Sequence, residues 1–168
     1  MHLTLLFGHK SHPDARINKS LSEILESNVL FSVASIKGGK ESWINTAYYA
    51  YSNKLKFYFL TPPTTQHSKN IKHNDSVAVS IFDTHQAVTG KKRGLQIFGT
   101  SHRAMGKEIE DGIQVYGKRF SGFGERIHTP DDFEKFKMES RIYVVDPRVI
   151  KIFDEVIFGE EQWVTVSL

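Results

Sequence analysis

The sequence predicts a mainly β domain, a small antiparallel barrel of six or seven strands with helices at its periphery. Three observations carry this expectation. Short segments alternate apolar and polar residues with a period of two, as in Leu55, Phe57 and Phe59 against Lys54, Lys56 and Tyr58. Turn-like sequences join most of these segments, Gly38-Gly39 being the tightest, because two glycines can both take φ > 0. Aromatic residues are abundant, with 12 Phe, 6 Tyr and 2 Trp, which suits a β-rich core.

Residues 1–12 fit an edge strand or a disordered lead equally well. The chain as a whole reads as a single domain, 1–168, in which 13–27 is an N-terminal helical region. Pro13 stands at a first-turn position, and Ile17, Leu21, Ile24 and Leu25 recur at helical spacing up to Glu26. Strands follow over Val29–Lys37, Glu41–Ser52, Leu55–Thr61, Val77–Asp83 and Gly94–Arg103. Gly99 inside the last of these marks a bulge or a close backbone approach. Lys107–Phe120 is an amphipathic helix, 121–130 a loop, and Asp131–Met138 a short helix. Arg141–Val145 and Val149–Phe153 read as two strands broken at Pro147, and Gln162–Val166 as the last strand.

Composition narrows the function classes. At 39% hydrophobic and 24% charged the chain is ordinary globular material. The absence of cysteine excludes disulfides, thiolate metal sites and cysteine nucleophiles and is compatible with the cytoplasm. The apolar run Leu3–Phe7 is too short for a membrane span and makes a poor signal peptide. A formal charge of +3 accommodates small anions without arguing for nucleic acid, and Lys91-Lys92-Arg93 reads as a solvated hairpin tip. The histidines include no HxH or HExxH pattern, so no metal site is expected. No hydroxyl has a nucleophile-elbow context.

The most informative stretch is Leu55–Asp83. Pro62-Pro63 stops a strand, Thr64 and Thr65 can cap a helix, and Gln66, His67, Ser68 and Lys69 occupy its first turn. Hydroxyls, an amide, an imidazole and an ammonium therefore gather where a helix exposes free N–H groups and its positive dipole end. That combination suits a phosphate. It equally describes an ordinary N-cap followed by a solvated helical face.

The order of elements resembles the flavin mononucleotide-binding split barrels, the superfamily of pyridoxamine 5'-phosphate oxidase. The resemblance is carried by VLFSVASIKGGKESWINTAYYAY, LKFYFLT, HSKNIKHNDSVAVSIF, GLQIFGTSHRA and IYVVDPRVIKIFDEVIFG, and it spans roughly residues 15–167. It implies a Greek-key-like split barrel, a homodimer, and flavin mononucleotide held at the dimer interface. Thr61 then matches the hydroxyl ending the third strand, and Lys69 the phosphate lysine. His67 and Ser68 fall where the oxidase has a serine and an arginine, and Asn45 where it has another arginine. Thr46 and Ala47 fall on the strand that runs under the flavin ring. Gln66 joins the polar helix start. Gln96 matches a flavin-contacting glutamine, although spacing from Gly99 puts that residue nearer Gly94.

The departures are informative. With Asn45 and Ser68 in place of two arginines, two charge-assisted contacts of ~1.5–3 kcal/mol each are missing. The basic carboxy-terminal motif of the oxidase is absent, the chain ending EEQWVTVSL. The resemblance therefore implies a small flavin-dependent oxidoreductase or reductase of unstated substrate, not a vitamin B6 enzyme. Its rivals are a binding module that has lost flavin and a haem- or deazaflavin-binding relative. An RNA-binding barrel lacks a ribonucleoprotein motif.

Overall fold

The computed structural model describes residues 12–168. The lead expected over 1–12 lies, apart from His12, outside the described residues. The elements are α1 (Asp14–Ser27), β1 (Leu30–Lys37), β2 (Glu41–Tyr51), β3 (Phe57–Thr61), α2 (Gln66–His73), β4 (Ser76–Phe82), β5 (Arg93–Arg103), α3 (Lys107–Arg119), α4 (Ser121–Gly124), α5 (Asp132–Lys135), β6 (Arg141–Asp154) and β7 (Trp163–Ser167).

The seven strands pair antiparallel in the order β3-β2-β1-β4-β5-β6-β7, and β3 also pairs with β6, which closes the sheet into a barrel. Strands β1 to β4 stand in the order β4-β1-β2-β3, a Greek key. The β1–β2 hairpin turns at Gly38 and Gly39, both at positive φ. Leu55 also takes a positive φ, 60°, so the β3 ladder begins at Phe57 instead of at Leu55.

Period-two alternation fills the barrel interior. Phe31, Val33, Tyr49, Phe57, Phe59, Val79, Ile81, Leu95, Ile97, Ile150 and Ile152 form one buried cluster, joined by Ile17, Leu21, Ile24 and Leu25 of α1. Helix α1 thus buries one apolar stripe against the barrel. Beneath it Asp154, fully buried, accepts from the Ser20 hydroxyl at 2.6 Å and from Arg93 at 2.8 Å. A second cluster covers the outer side of β3 and β6, where Tyr58, Ile142 and Val144 pack under Ile113 of α3 and Phe133 of α5. Tyr49, Tyr51 and Tyr58 are therefore core residues, whereas Tyr48 is exposed.

Pro147 does not break the closing strand. Residues Arg141–Asp154 form one continuous strand, in which Pro147 lies opposite Gly99 and the β5–β6 register shifts between Phe98 and Gly99. The bulge leaves Arg148 without a partner on β5, and the ladder is locally disrupted beside it, where a proline that cannot donate is tolerated. The expected loop over 121–130 contains the short helix α4. No helix among the described residues is long and apolar enough to cross a membrane.

Candidate functional site

Strands β2 and β3 pair only over Tyr49–Tyr51 and Phe57–Phe59. Beyond that point Glu41–Tyr48 of β2 and Leu60–Thr61 of β3 separate, which is the split in the barrel. Pro62 and Pro63 then turn the chain into α2, which packs on β1, β2 and β5.

Thr65 is the N-cap of α2, and its hydroxyl accepts from the Ser68 N–H at 3.4 Å. The Gln66 and His67 N–H groups make no hydrogen bond among the described residues, as expected for a first helical turn. Around them the side chains form a closed relay. Thr61 Oγ1 lies 2.6 Å from Nε2 of His67, and Thr65 Oγ1 lies 3.1 Å from the same nitrogen. Ser68 donates to the Pro62 carbonyl at 3.0 Å, which leaves Thr65 to donate to Ser68 Oγ at 2.8 Å. If Thr61 donates to Nε2, the neutral ring carries its proton on Nδ1, the tautomer able to donate to an anion at the helix terminus; if Nε2 carries the proton, it donates to Thr61 instead. Burial holds the His67 imidazole below the usual histidine range, so the ring is neutral at neutral pH.

A second polar line leaves the same turn. Gln66 donates to Asn70 Oδ1 at 2.8 Å, and Asn70 donates to the Ser35 hydroxyl at 3.1 Å. Ser35 stands opposite Trp43, and Asn45 stands opposite Val33, so Asn45 is one diagonal step from Ser35 on the inward side of β1–β2. Asn45 Oδ1 is buried and has no hydrogen-bond partner among the described residues. Ala47 packs against the main core.

The structure thus brings Asn45, Ala47, Thr61, Gln66, His67 and Ser68 around the split and the start of α2. It does not bring all the expected residues to one place. Thr46 points to the outer face of the sheet, its hydroxyl 3.1 Å from that of Ser32. Gln96 lies on the same outer face, in the row Thr46–Ser32–Ser80–Gln96–Lys151. The neighbouring row, Ile44–Ala34–Ala78–Phe98–Val149, is apolar, with Ile44 69% exposed. Lys69 is exposed and lines a separate cavity between α2 and β5.

One polar cluster was not legible in the sequence. Lys56 Nζ lies 3.0 Å from both Glu108 and Asp146, and His102 Nε2 lies 2.8 Å from Glu108. Burial opposes the Lys56 charge, but its hydrogen bonds to Asp146 and Glu108 outweigh that and raise its pKa. His102, Glu108 and Asp146 have metal-ligand chemistry and spacing, yet the ammonium already fills the cation's role among them. Only the six-residue separation of His102 and Glu108 is local, so the sequence carried little sign of the cluster.

The fold is similar to that of a haem-binding protein from Mycobacterium smegmatis, with TM-score 0.69 and 11% identity over 93% of this chain and 59% of that one. This chain therefore spans less than two-thirds of that protein's length. It is also similar to HutZ, the haem storage protein from Vibrio cholerae, with TM-score 0.58 and 12% identity over 79% and 90% of the two chains. A third similar structure is a Clostridium acetobutylicum protein related to general stress protein 26, of the pyridoxinephosphate oxidase family, with TM-score 0.60 and 12% identity over 92% and 95%. At such identities the likeness shows the fold alone. No curated protein gives a significant match to the sequence. The sequence profile described as pyridoxamine 5'-phosphate oxidase matches residues 17–158, and the chain belongs to that family, on a split-barrel fold.

Proposed function

We propose that the protein binds flavin mononucleotide in the split and serves as a flavin-dependent oxidoreductase of a small molecule. One observation carries the reading: among the described residues a buried amide oxygen, Asn45 Oδ1 of β2, lacks a donor, and the Gln66 and His67 N–H groups that open α2, a helix packed on β2, lack acceptors. A buried acceptor without a donor costs ~1–3 kcal/mol, and a ribityl hydroxyl would satisfy it. The free N–H groups, the dipole of α2 and Nδ1 of His67 would take the phosphate. Lys69, exposed in the first turn of the same helix, would add the full charge if its side chain turned toward the phosphate. These residues fit a flavin with fewer charged contacts than the oxidase, so exchangeable binding is expected.

When bound, flavin supplies hydride or electron transfer, and the protein's part is placement. The Thr61 and Thr65 hydroxyls beside Nε2 orient the imidazole. Thr46 and Gln96 present hydroxyl and amide groups on the outer face, where a second copy of the chain would cover the apolar row through Ile44 and Phe98. The exposed row and the family resemblance support a homodimer.

A haem reading has one observation in its favour. His85 lines an outer-face hollow with Leu30, Thr46 and Phe82, and Asp83 Oδ1 lies 3.2 Å from its Nδ1, which leaves Nε2 for a ligand. The absorption spectrum separates the two. Flavin bands near ~370 and ~450 nm after adding flavin mononucleotide and desalting support the first reading. A Soret band on adding haem, with no retained flavin, supports the second.

A further inference from the structure

We propose a second ligand site, for a small organic phosphate, in the cavity between α2 and the end of β5. The cavity measures about 650 Å³, against about 460 Å³ for the outer-face hollow beside β1. Its inner wall is Ile71 and Tyr143, both buried, and Pro63 and Met105 flank it. Three cations line it: Lys69, Lys72 and Arg103. None of them makes an ion pair among the described residues.

The second, independent observation is Ser101. It is fully buried and lines the cavity, and its hydroxyl has no hydrogen-bond partner among the described residues. Its N–H is already spent on the Asp75 carbonyl at 2.7 Å, so the hydroxyl is the group left over. A buried hydroxyl facing a cation-rich hollow suits an oxyanion, to which it can donate.

Charge selects the ligand. Asp75 is the one acid lining the cavity among the described residues. Against the three cations it leaves two net positive charges, which match a phosphate monoester of roughly −1.5 to −2. His73 Nδ1 lies 2.7 Å from the Lys69 carbonyl, to which it donates, and His102 is held between Glu108 and Asp146. The apolar wall favours an ester with a hydrocarbon or aromatic body over inorganic phosphate. Lys69 stands on the boundary with the helix start, whereas Lys72, Ser101 and Arg103 belong to the cavity alone. Ser68 and Lys69 are shared with the helix start, so a flavin phosphate that engaged Lys69 would leave Lys72 and Arg103 as the cavity's own cations.

The test is an amide-resolved NMR titration of the full chain with phenyl phosphate, inorganic phosphate and phenol. Phenyl phosphate is expected to shift Lys72, Ser101 and Arg103 and to bind tighter than either fragment. Lys72→Gln and Arg103→Gln should each weaken it roughly tenfold. Ser101→Ala should weaken it too, with a melting temperature unchanged or raised, because the variant removes an unpartnered polar group. That combination separates a ligand role from a structural one. Equal binding of phenol would overturn the proposal, as would shifts confined to Thr65, Gln66 and His67, or no shifts at all. Retention of flavin, read in the visible spectrum, reports on the split independently.

Discussion

The Thr61 hydroxyl lies 2.6 Å from Nε2 of His67, and this contact ties the end of β3 to the first turn of α2. Thr61 is 4% exposed, so the bond is made away from water. Thr61→Val keeps the shape and removes the partner. Thr65 Oγ1, 3.1 Å from the same nitrogen, can donate to it in place of Thr61 by giving up its bond to Ser68, which offsets part of the loss. The expected cost is about 1 kcal/mol in urea denaturation. A loss above ~3 kcal/mol would mean that the hydroxyl holds more than this ring.

The depressed pKa of His67 makes a signed prediction. Burial disfavours the charged imidazole in the folded state, so the unfolded chain binds its proton first on acidification. The stability due to this residue is present above the unfolded value of ~6.5 and is lost as pH falls through the lower folded value. Affinity for flavin mononucleotide should move the other way, because a protonated ring attracts the phosphate. In His67→Gln both trends should flatten. Denaturation midpoints and flavin titrations across that range check the pair. A wild-type stability that rises on acidification through this window would contradict the assignment.

Gly99 is opposite Pro147, and a β-carbon built on it would stand 2.1 Å from the Asp146 carbonyl oxygen. Backbone is the obstacle, so the strand must shift. Gly99→Ala should cost at least ~3 kcal/mol or prevent folding. A variant with near wild-type melting temperature would show that the bulge is compliant.

Much of the barrel was legible because its signals are local. Alternation along β1 to β5, the glycine pair at 38–39 and the apolar stripe of α1 each lie within one element. Pro147 misled because a bulge is a two-strand property: the proline is harmless only against Gly99. The site was legible in part for the same reason. Thr61 to Ser68 are neighbours in sequence and in space. The facing of Asn45 and Thr46 to opposite sides of β2 follows from period two, yet which side is inward depends on the β1 register. The meeting of Lys56, His102, Glu108 and Asp146 joins four segments, and no local pattern announces it.

That quartet supports a further prediction. Lys56→Met leaves Glu108 and Asp146 without their shared ammonium. The groups are 26% to 36% exposed, so screening limits the loss to about 1 kcal/mol. Manganese or zinc ions should restore the melting temperature of the variant and leave the wild type unmoved. Equal stabilisation of both proteins would show that Lys56 does not stand in the cation's place.

The exposed row through Ile44, Ala34, Ala78 and Phe98 supplies the test of assembly. Light scattering is expected to give twice the chain mass, and Ile44→Glu to give a single chain that stays folded. A monomeric wild type would contradict the dimer.

The most direct measurement compares flavin mononucleotide with riboflavin, which lacks the phosphate, by visible absorbance and fluorescence titration. The phosphate and the start of α2 are predicted to make flavin mononucleotide bind at least roughly tenfold tighter, with the difference shrinking in His67→Gln and Lys69→Ala. Equal affinity for the two, or no flavin binding by a folded protein, would contradict the proposal that the split holds the flavin by its phosphate.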